Sequence, residues 1–274
     1  MNESIARPGE TPHTPVAVNI EMWFEGDFVE RINRAAALGF PAIEFWTWRD
    51  KDLEAGGRAL REHGMIATQF TAWGFGREIN DPDYPVADFV SEIRAACEAT
   101  SRLPGCDHLC IVAGDDIRGR TKAEMHAAVA EKLVAAVPVL DAAGCTAVVE
   151  PMNPYNHPGH CLYGSADGIA LCRAVGSPRV KLNWDLFHMQ RFEGNLIDGL
   201  ERGKEWIGYI QFADSPGRHE PGTGEVNYAE VFRKVREIGC ALPLGAECLP
   251  EGGDARRAAE RLWAVDRESG EDAG

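Results

Sequence analysis

The sequence predicts a single (β/α)8 barrel, on three observations. Eight short apolar runs recur along the chain, each followed by a longer amphipathic run. The short runs are apolar on both faces, as strands of a parallel sheet covered by helices must be. Glycine closes helical run after helical run just before a strand begins, as expected of αβ junctions that need a left-handed cap.

The strands are expected at 16–20 (VAVNI), 42–46 (AIEFW), 66–71 (IATQFT), 108–114 (HLCIVAG), 146–151 (TAVVEP), 180–186 (VKLNWDL), 207–214 (IGYIQFAD) and 242–248 (LPLGAEC). Helical periodicity fills 28–39, 53–64, 88–100, 121–144, 165–176, 195–203, 228–239 and 254–268. Thr121 stands three residues before Glu124, a capping-box start for the longest helix. Gly39, Gly64, Gly144 and Gly176 end four of these helices. An open doubly wound sheet would carry a glycine-rich phosphate turn after its first strand, and here that strand runs into NIEMWFEGD. Eight βα units therefore close on themselves over residues 16–268. The polar, proline-rich start (1–15) and the short end (269–274) read as disordered tails.

Composition narrows the function. The 274 residues are 45% hydrophobic and carry a net charge of −15, enough apolar material for a large core and too acidic for a nucleic-acid backbone binder. No apolar run reaches the ~18–20 residues of a membrane span, and no secretory leader is visible. The eight cysteines include no C-x-x-C pair and read as reduced, mostly buried thiols. A cytoplasmic protein acting on a small molecule is expected, with a homo-oligomer possible for a barrel of this kind.

Barrel active sites lie at the carboxyl ends of the strands. Strand five ends in Glu150, strand six in Asp185 with His188 just behind it, strand seven carries Gln211, and strand eight ends in Glu247. Any one of these alone would serve as a cap, a salt-bridge partner or a satisfied core residue. Four successive strands presenting an oxygen donor suit a hard divalent cation, Mg²⁺ or Mn²⁺. Glu44, Trp23, Gln69 and Trp73 also fall at strand ends, where rim packing and substrate contact stay open for the tryptophans. Glu193, Glu220 and Glu225 read as solvated or structural loop acids.

The segments VVEPMN, LNWDLFHMQ, IQFADSPGRHEPGTGEVNY and GAEC, with the opening VNIEMWFEGDFVERINRAAALGFPAIEFW, resemble the hydroxypyruvate isomerase family of xylose-isomerase-like barrels over about residues 16–250. The resemblance implies a metal held by Glu150, Asp185, Gln211 and Glu247. It implies that Glu150 and Glu247 form the acid–base pair, and that His188 and Arg218 bind substrate oxygens, Arg218 through a fork that matches a carboxylate. Strand four carries Cys110 where the closest relatives would be expected to have histidine.

The activity implied is a metal-dependent isomerisation of an α-hydroxy carbonyl compound by enediolate proton transfer, with hydroxypyruvate and tartronate semialdehyde as the pair. The same apparatus would serve a sugar or keto-polyol isomerase or 3-epimerase, or a lyase acting on a 3-keto glycoside. A three-zinc endonuclease on this barrel would need more histidine ligands, including an Asp-x-His after strand seven that is absent here. A barrel that binds a ligand without catalysis would not be expected to keep all four oxygen donors.

Overall fold

Every apolar run forms a parallel strand, and the eight strands close in sequence order: β1 (Val16–Asn19), β2 (Ala42–Thr47), β3 (Ile66–Trp73), β4 (His108–Ile111), β5 (Thr146–Val149), β6 (Val180–Asp185), β7 (Ile207–Phe212) and β8 (Leu244–Ala246). The computed structural model describes residues 7–271. β8 returns to β1 with Leu244 opposite Val16 and Ala246 opposite Val18, which removes both sheet edges.

Ten α-helices lie among the described residues: α1 (Ile20–Trp23), α2 (Phe28–Leu38), α3 (Leu53–His63), α4 (Val86–Thr100), α5 (Lys122–Ala143), α6 (Gly164–Val175), α7 (Leu186–Phe192), α8 (Leu196–Gly203), α9 (Tyr228–Glu237) and α10 (Ala255–Ser269). The capping box at Thr121 and Glu124 is formed, and Gly39, Gly64, Gly144 and Gly176 all take the left-handed cap. Two helices, α1 and α7, were not expected. Each begins directly at the carboxyl end of a strand, where the apolar letters of strand and helix run together. Asn19 and Asp185 supply the N-caps by accepting N–H groups of the next turn.

The apolar faces of the helices and the outward strand residues form one continuous core, from Val16 and Ile32 round to Phe232 and Leu262. Inside the barrel a smaller group, Cys110, Val148 and Tyr209, plugs the centre. Tyr209 shares a 2.7 Å hydrogen bond with Thr68 there. The barrel is thus filled below and open above.

Part of the polar start makes contacts with the barrel: Gly9 donates to Leu38 O at 2.7 Å, His13 and Thr14 donate to the buried Asp266 carboxylate at 2.7 and 3.1 Å, and Pro15 O accepts from Leu244. At the other end Ser269 is still helical and buried, and Arg236 donates to its carbonyl. The remainder of both expected tails, residues 1–6 and 272–274, lies outside the described residues.

Candidate active site

The strand ends surround a cavity of about 420 Å³. Its polar wall includes Glu44, Glu150, His188, Gln211, Arg218 and Glu247, Met152 adds an apolar patch, and its lip includes Met22, Trp46 and Phe75. Phe75 is half exposed and stacks on His157 at 4.9 Å between ring centres.

Glu150, Asp185 and His188 come together on the β5–β6 side. One ligand atom from each lies within 4.8 Å of the others. His188 Nε2 stands 3.6 Å from Glu150 Oε1 and 3.4 Å from Asp185 Oδ2. Asp185 divides its two oxygens: Oδ1 caps α7 at Phe187 N, 2.7 Å away, while Oδ2 faces His188 and Arg218. It is fully buried, behind the cavity wall rather than on it.

Arg218 links this group to Glu247. Its Nη2 lies 2.6 Å from Glu247 Oε2 and 3.2 Å from Asp185 Oδ2, and its buried Nε–H has no acceptor among the described residues. The other oxygen of Glu247 accepts the Trp46 indole N–H at 2.8 Å. Gln211 sits apart from both groups. Its Nε2 donates to Glu44 Oε1 at 2.8 Å, and its Oε1 accepts from Asn183 at 2.6 Å. Glu44 also accepts from Asn19 and Gln69, at 3.0 and 3.1 Å. Glycine at 245 makes room for this meeting, because a Cβ there would fall 2.3 Å from Glu44 Oε2.

The electrostatics are one-sided. Three buried carboxylates, Glu150, Asp185 and Glu247, act on one guanidinium, and a fourth, Glu44, lies on the same cavity wall. Burial raises Glu150 well above the carboxylate range, with Glu247 and Asp185 adding to the rise. Burial likewise lifts Asp185 to about 7, against the pull of Arg218, and lifts Glu44 to about 7, helped by Glu247. Burial would lower Arg218, but Glu247, Asp185 and Glu150 outweigh it and hold its pKa above the usual value. Burial, reinforced by Arg218, keeps His188 neutral.

The protonated nitrogen of that neutral ring follows from its neighbour. Asn153 Oδ1 accepts two backbone N–H groups, from Tyr155 and Asn156, both at 3.0 Å. Its amide nitrogen therefore faces His188 Nδ1, 2.7 Å away, and must donate to it. The ring proton is left on Nε2, so His188 presents an N–H donor toward Glu150, Asp185 and the cavity.

Sequence reasoning missed Asn153, although it lies inside the quoted VVEPMN segment. Trp46, in the AIEFW run that forms β2, has a contact with Glu247 that the strand pattern does not show. Trp23 and Trp73 prove to be packing residues: the Trp23 indole donates to Ala246 O, and Trp73 packs edge-on against Tyr84 and Phe89. Glu220 is a buried structural acid that accepts from Arg261 and from Glu251 N. Cys110 lies on the wall, its thiol 3.5 Å from Glu150 Oε2.

The sequence profile of the family described as xylose isomerase-like TIM barrel matches residues 32–265. The 2-oxo-tetronate isomerase of Cupriavidus necator is 33% identical over 244 residues, covering 86% of this chain and 93% of that protein. The hydroxypyruvate isomerase of Escherichia coli is 31% identical, with the same coverage of each. Among solved structures, a Brucella melitensis protein titled AP endonuclease, family 2, superposes with a TM-score of 0.83 at 26% identity, over 89% of this chain and 96% of that one.

Proposed function

We propose an activity from one premise: the chain belongs to the hydroxypyruvate isomerase family of xylose isomerase-like TIM barrels. It is an isomerase of a small hydroxy-carbonyl compound, and its reaction is the interconversion of hydroxypyruvate and tartronate semialdehyde. The observation that carries this reading is the placement of Glu150 and Glu247 on the wall of one cavity, with Arg218 and the His188 N–H between them.

Isomerisation moves one proton from carbon-3 to carbon-2 and one from the carbon-3 oxygen to the carbon-2 oxygen. A carboxylate removes the carbon-bound proton, and a carboxylic acid on the other side of the substrate returns one. Glu150 and Glu247, on strands three apart round the barrel, are the pair for this. Arg218, on the cavity wall, holds the substrate carboxylate through its guanidinium fork. His188 donates its Nε2 proton to the oxygen on which negative charge develops, and as a neutral ring it does so without adding charge.

The donor set suits a divalent ion. Glu150 and Asp185 are hard oxygen ligands whose crowding an ion would relieve, and Gln211 and Glu247 complete the set once the Gln211 oxygen turns from Asn183. Mg²⁺ or Mn²⁺ bound there would supply charge stabilisation to the enediolate. The cavity also favours a second substrate. Its 420 Å³ and its apolar lip at Met22 and Phe75 leave room beyond three carbons, so a four-carbon 2-oxo acid with a 3-hydroxyl is expected to turn over as well.

The test is solvent exchange. With Mn²⁺ added, the wild-type protein incorporates deuterium from heavy water into hydroxypyruvate at carbon-3 and forms the aldehyde. Glu150→Gln and Glu247→Gln each lower this by roughly 10²–10⁴-fold with the barrel still folded. Full turnover in either variant would reject the acid–base pair.

A further inference from the structure

The loop between β7 and α9 sends one side chain to the cavity, Arg218, and the backbone there is strained. Arg218 has φ = 55°, in the left-handed region that a non-glycine residue adopts only at a steric cost. Something must hold it. The buried Asp214 does not line the cavity, yet its carboxylate accepts five backbone N–H groups. Oδ2 takes Gly222, Thr223 and Gly224 at 3.0, 3.1 and 2.9 Å, and Oδ1 takes Ser215 and Val226 at 2.9 and 3.1 Å. The main chain of the same residue closes the turn from below: Asp214 O accepts from Arg218 N at 2.9 Å, and Asp214 N donates to His219 O at 2.8 Å. Gly224 fits only as glycine, because a Cβ would fall 2.1 Å from Ser215 O and 2.6 Å from Asp214 Oδ1. The run PGRHEPGTGE is thus a frame built around one carboxylate, with Arg218 at its tip.

We infer that Asp214 is the positioning residue for Arg218: by gathering both arms of the loop onto one carboxylate, it fixes the backbone that presents the guanidinium to Glu247, Asp185 and the substrate acid group. The inference rests on the reading of Arg218 as the carboxylate holder, and two readouts keep the two apart. The first is a double-mutant cycle with Arg218→Ala, measured on hydroxypyruvate. Asp214→Asn places an amide NH₂ against backbone donors and is expected to raise KM about tenfold, with kcat changed less than about threefold. In the Arg218→Ala background the same substitution adds no further rise. Equal losses in both backgrounds, or equal effects on kcat and KM, would overturn the inference in favour of a merely structural role.

The second readout needs no substrate. The Arg218 Nε–H gives one sharp ¹⁵N–¹H resonance in the wild type and a broadened or split one in Asp214→Asn. Should Asp214→Asn fail to fold, Gly222→Ala strains the same frame at φ = 89° without removing the carboxylate, and a broadened Arg218 signal is expected there too. An unchanged signal in the folded variant rejects the positioning role. If Arg218→Ala leaves KM unaltered, the carboxylate reading fails, and the resonance alone decides whether Asp214 orders Arg218.

Discussion

The indole of Trp46, at the end of β2, donates its N–H to Glu247 on the loop after β8, 2.8 Å away. With Arg218 on the other oxygen, Glu247 is clamped from two sides, and its carboxylate plane is set by residues from two distant parts of the chain. A hydrogen bond to a charged group contributes about 1.5–3 kcal/mol when buried, less at a side chain as exposed as Trp46. Trp46→Phe keeps the ring and loses the donor. It is expected to lower kcat by about tenfold and to leave the thermal midpoint nearly unchanged; kcat equal to wild type would remove the indole from the site's working parts.

Asn153 decides the His188 tautomer, and its substitution should reverse it. In Asn153→Asp, a carboxylate faces Nδ1 and takes the ring proton there, leaving a lone pair on Nε2. The ¹⁵N shifts of the His188 ring are expected to exchange places, and kcat to fall by on the order of 10–10²-fold as the oxygen donor is lost. Unaltered ring shifts would show that Asn153 does not set the tautomer.

Asp185 has separable duties, a cap through Oδ1 and a place in the acidic cluster through Oδ2. Asparagine caps as well as aspartate does. Asp185→Asn should therefore leave helix content and thermal midpoint close to wild type while weakening Mn²⁺ binding by at least tenfold in calorimetry. Treatment of the wild type with a chelator should abolish turnover, and added Mn²⁺ or Mg²⁺ should restore it. Turnover that survives thorough chelation would remove the metal from the reaction.

His160 ties the loop after β4 to the loop after β5. Its ring meets the N–H groups of Gly114 and Leu162 at 3.4 and 3.2 Å, and burial pushes its pKa down to about 4. A neutral ring accepts one of these N–H groups; an imidazolium accepts neither. Below the ordinary histidine pKa near 6.5 the unfolded chain takes up a proton that the folded one refuses. The stabilisation is therefore complete above about pH 6.5 and declines as the pH falls toward 4, by about 3 kcal/mol in all. Urea unfolding at pH 7 and pH 5 measures the loss. His160→Gln should be less stable at pH 7 and show a shallower slope; an identical slope would place the pH dependence elsewhere.

Much of this protein is carried by local pattern. The eight apolar runs, the glycine stops and the Thr121–Glu124 cap act over a few residues, so they can be read directly, and they specify a barrel whose strand ends must converge. The positions of Glu150, Asp185, Gln211 and Glu247 at four successive strand ends follow from the same pattern. What local pattern cannot carry is the turning of a side chain toward one partner among several. Asp185 both caps a helix and faces His188 and Arg218, Gln211 lies against Glu44 and Asn183, and Trp46 rather than Trp23 or Trp73 reaches an acid. Asp214 holds a loop from ten residues away, and the backbone at His13 and Thr14 is held by Asp266, some 250 residues on. These arrangements depend on donors and acceptors that meet only after the sheet has closed. Sequence fixes which groups arrive at the mouth; the closed barrel decides which of them pair there.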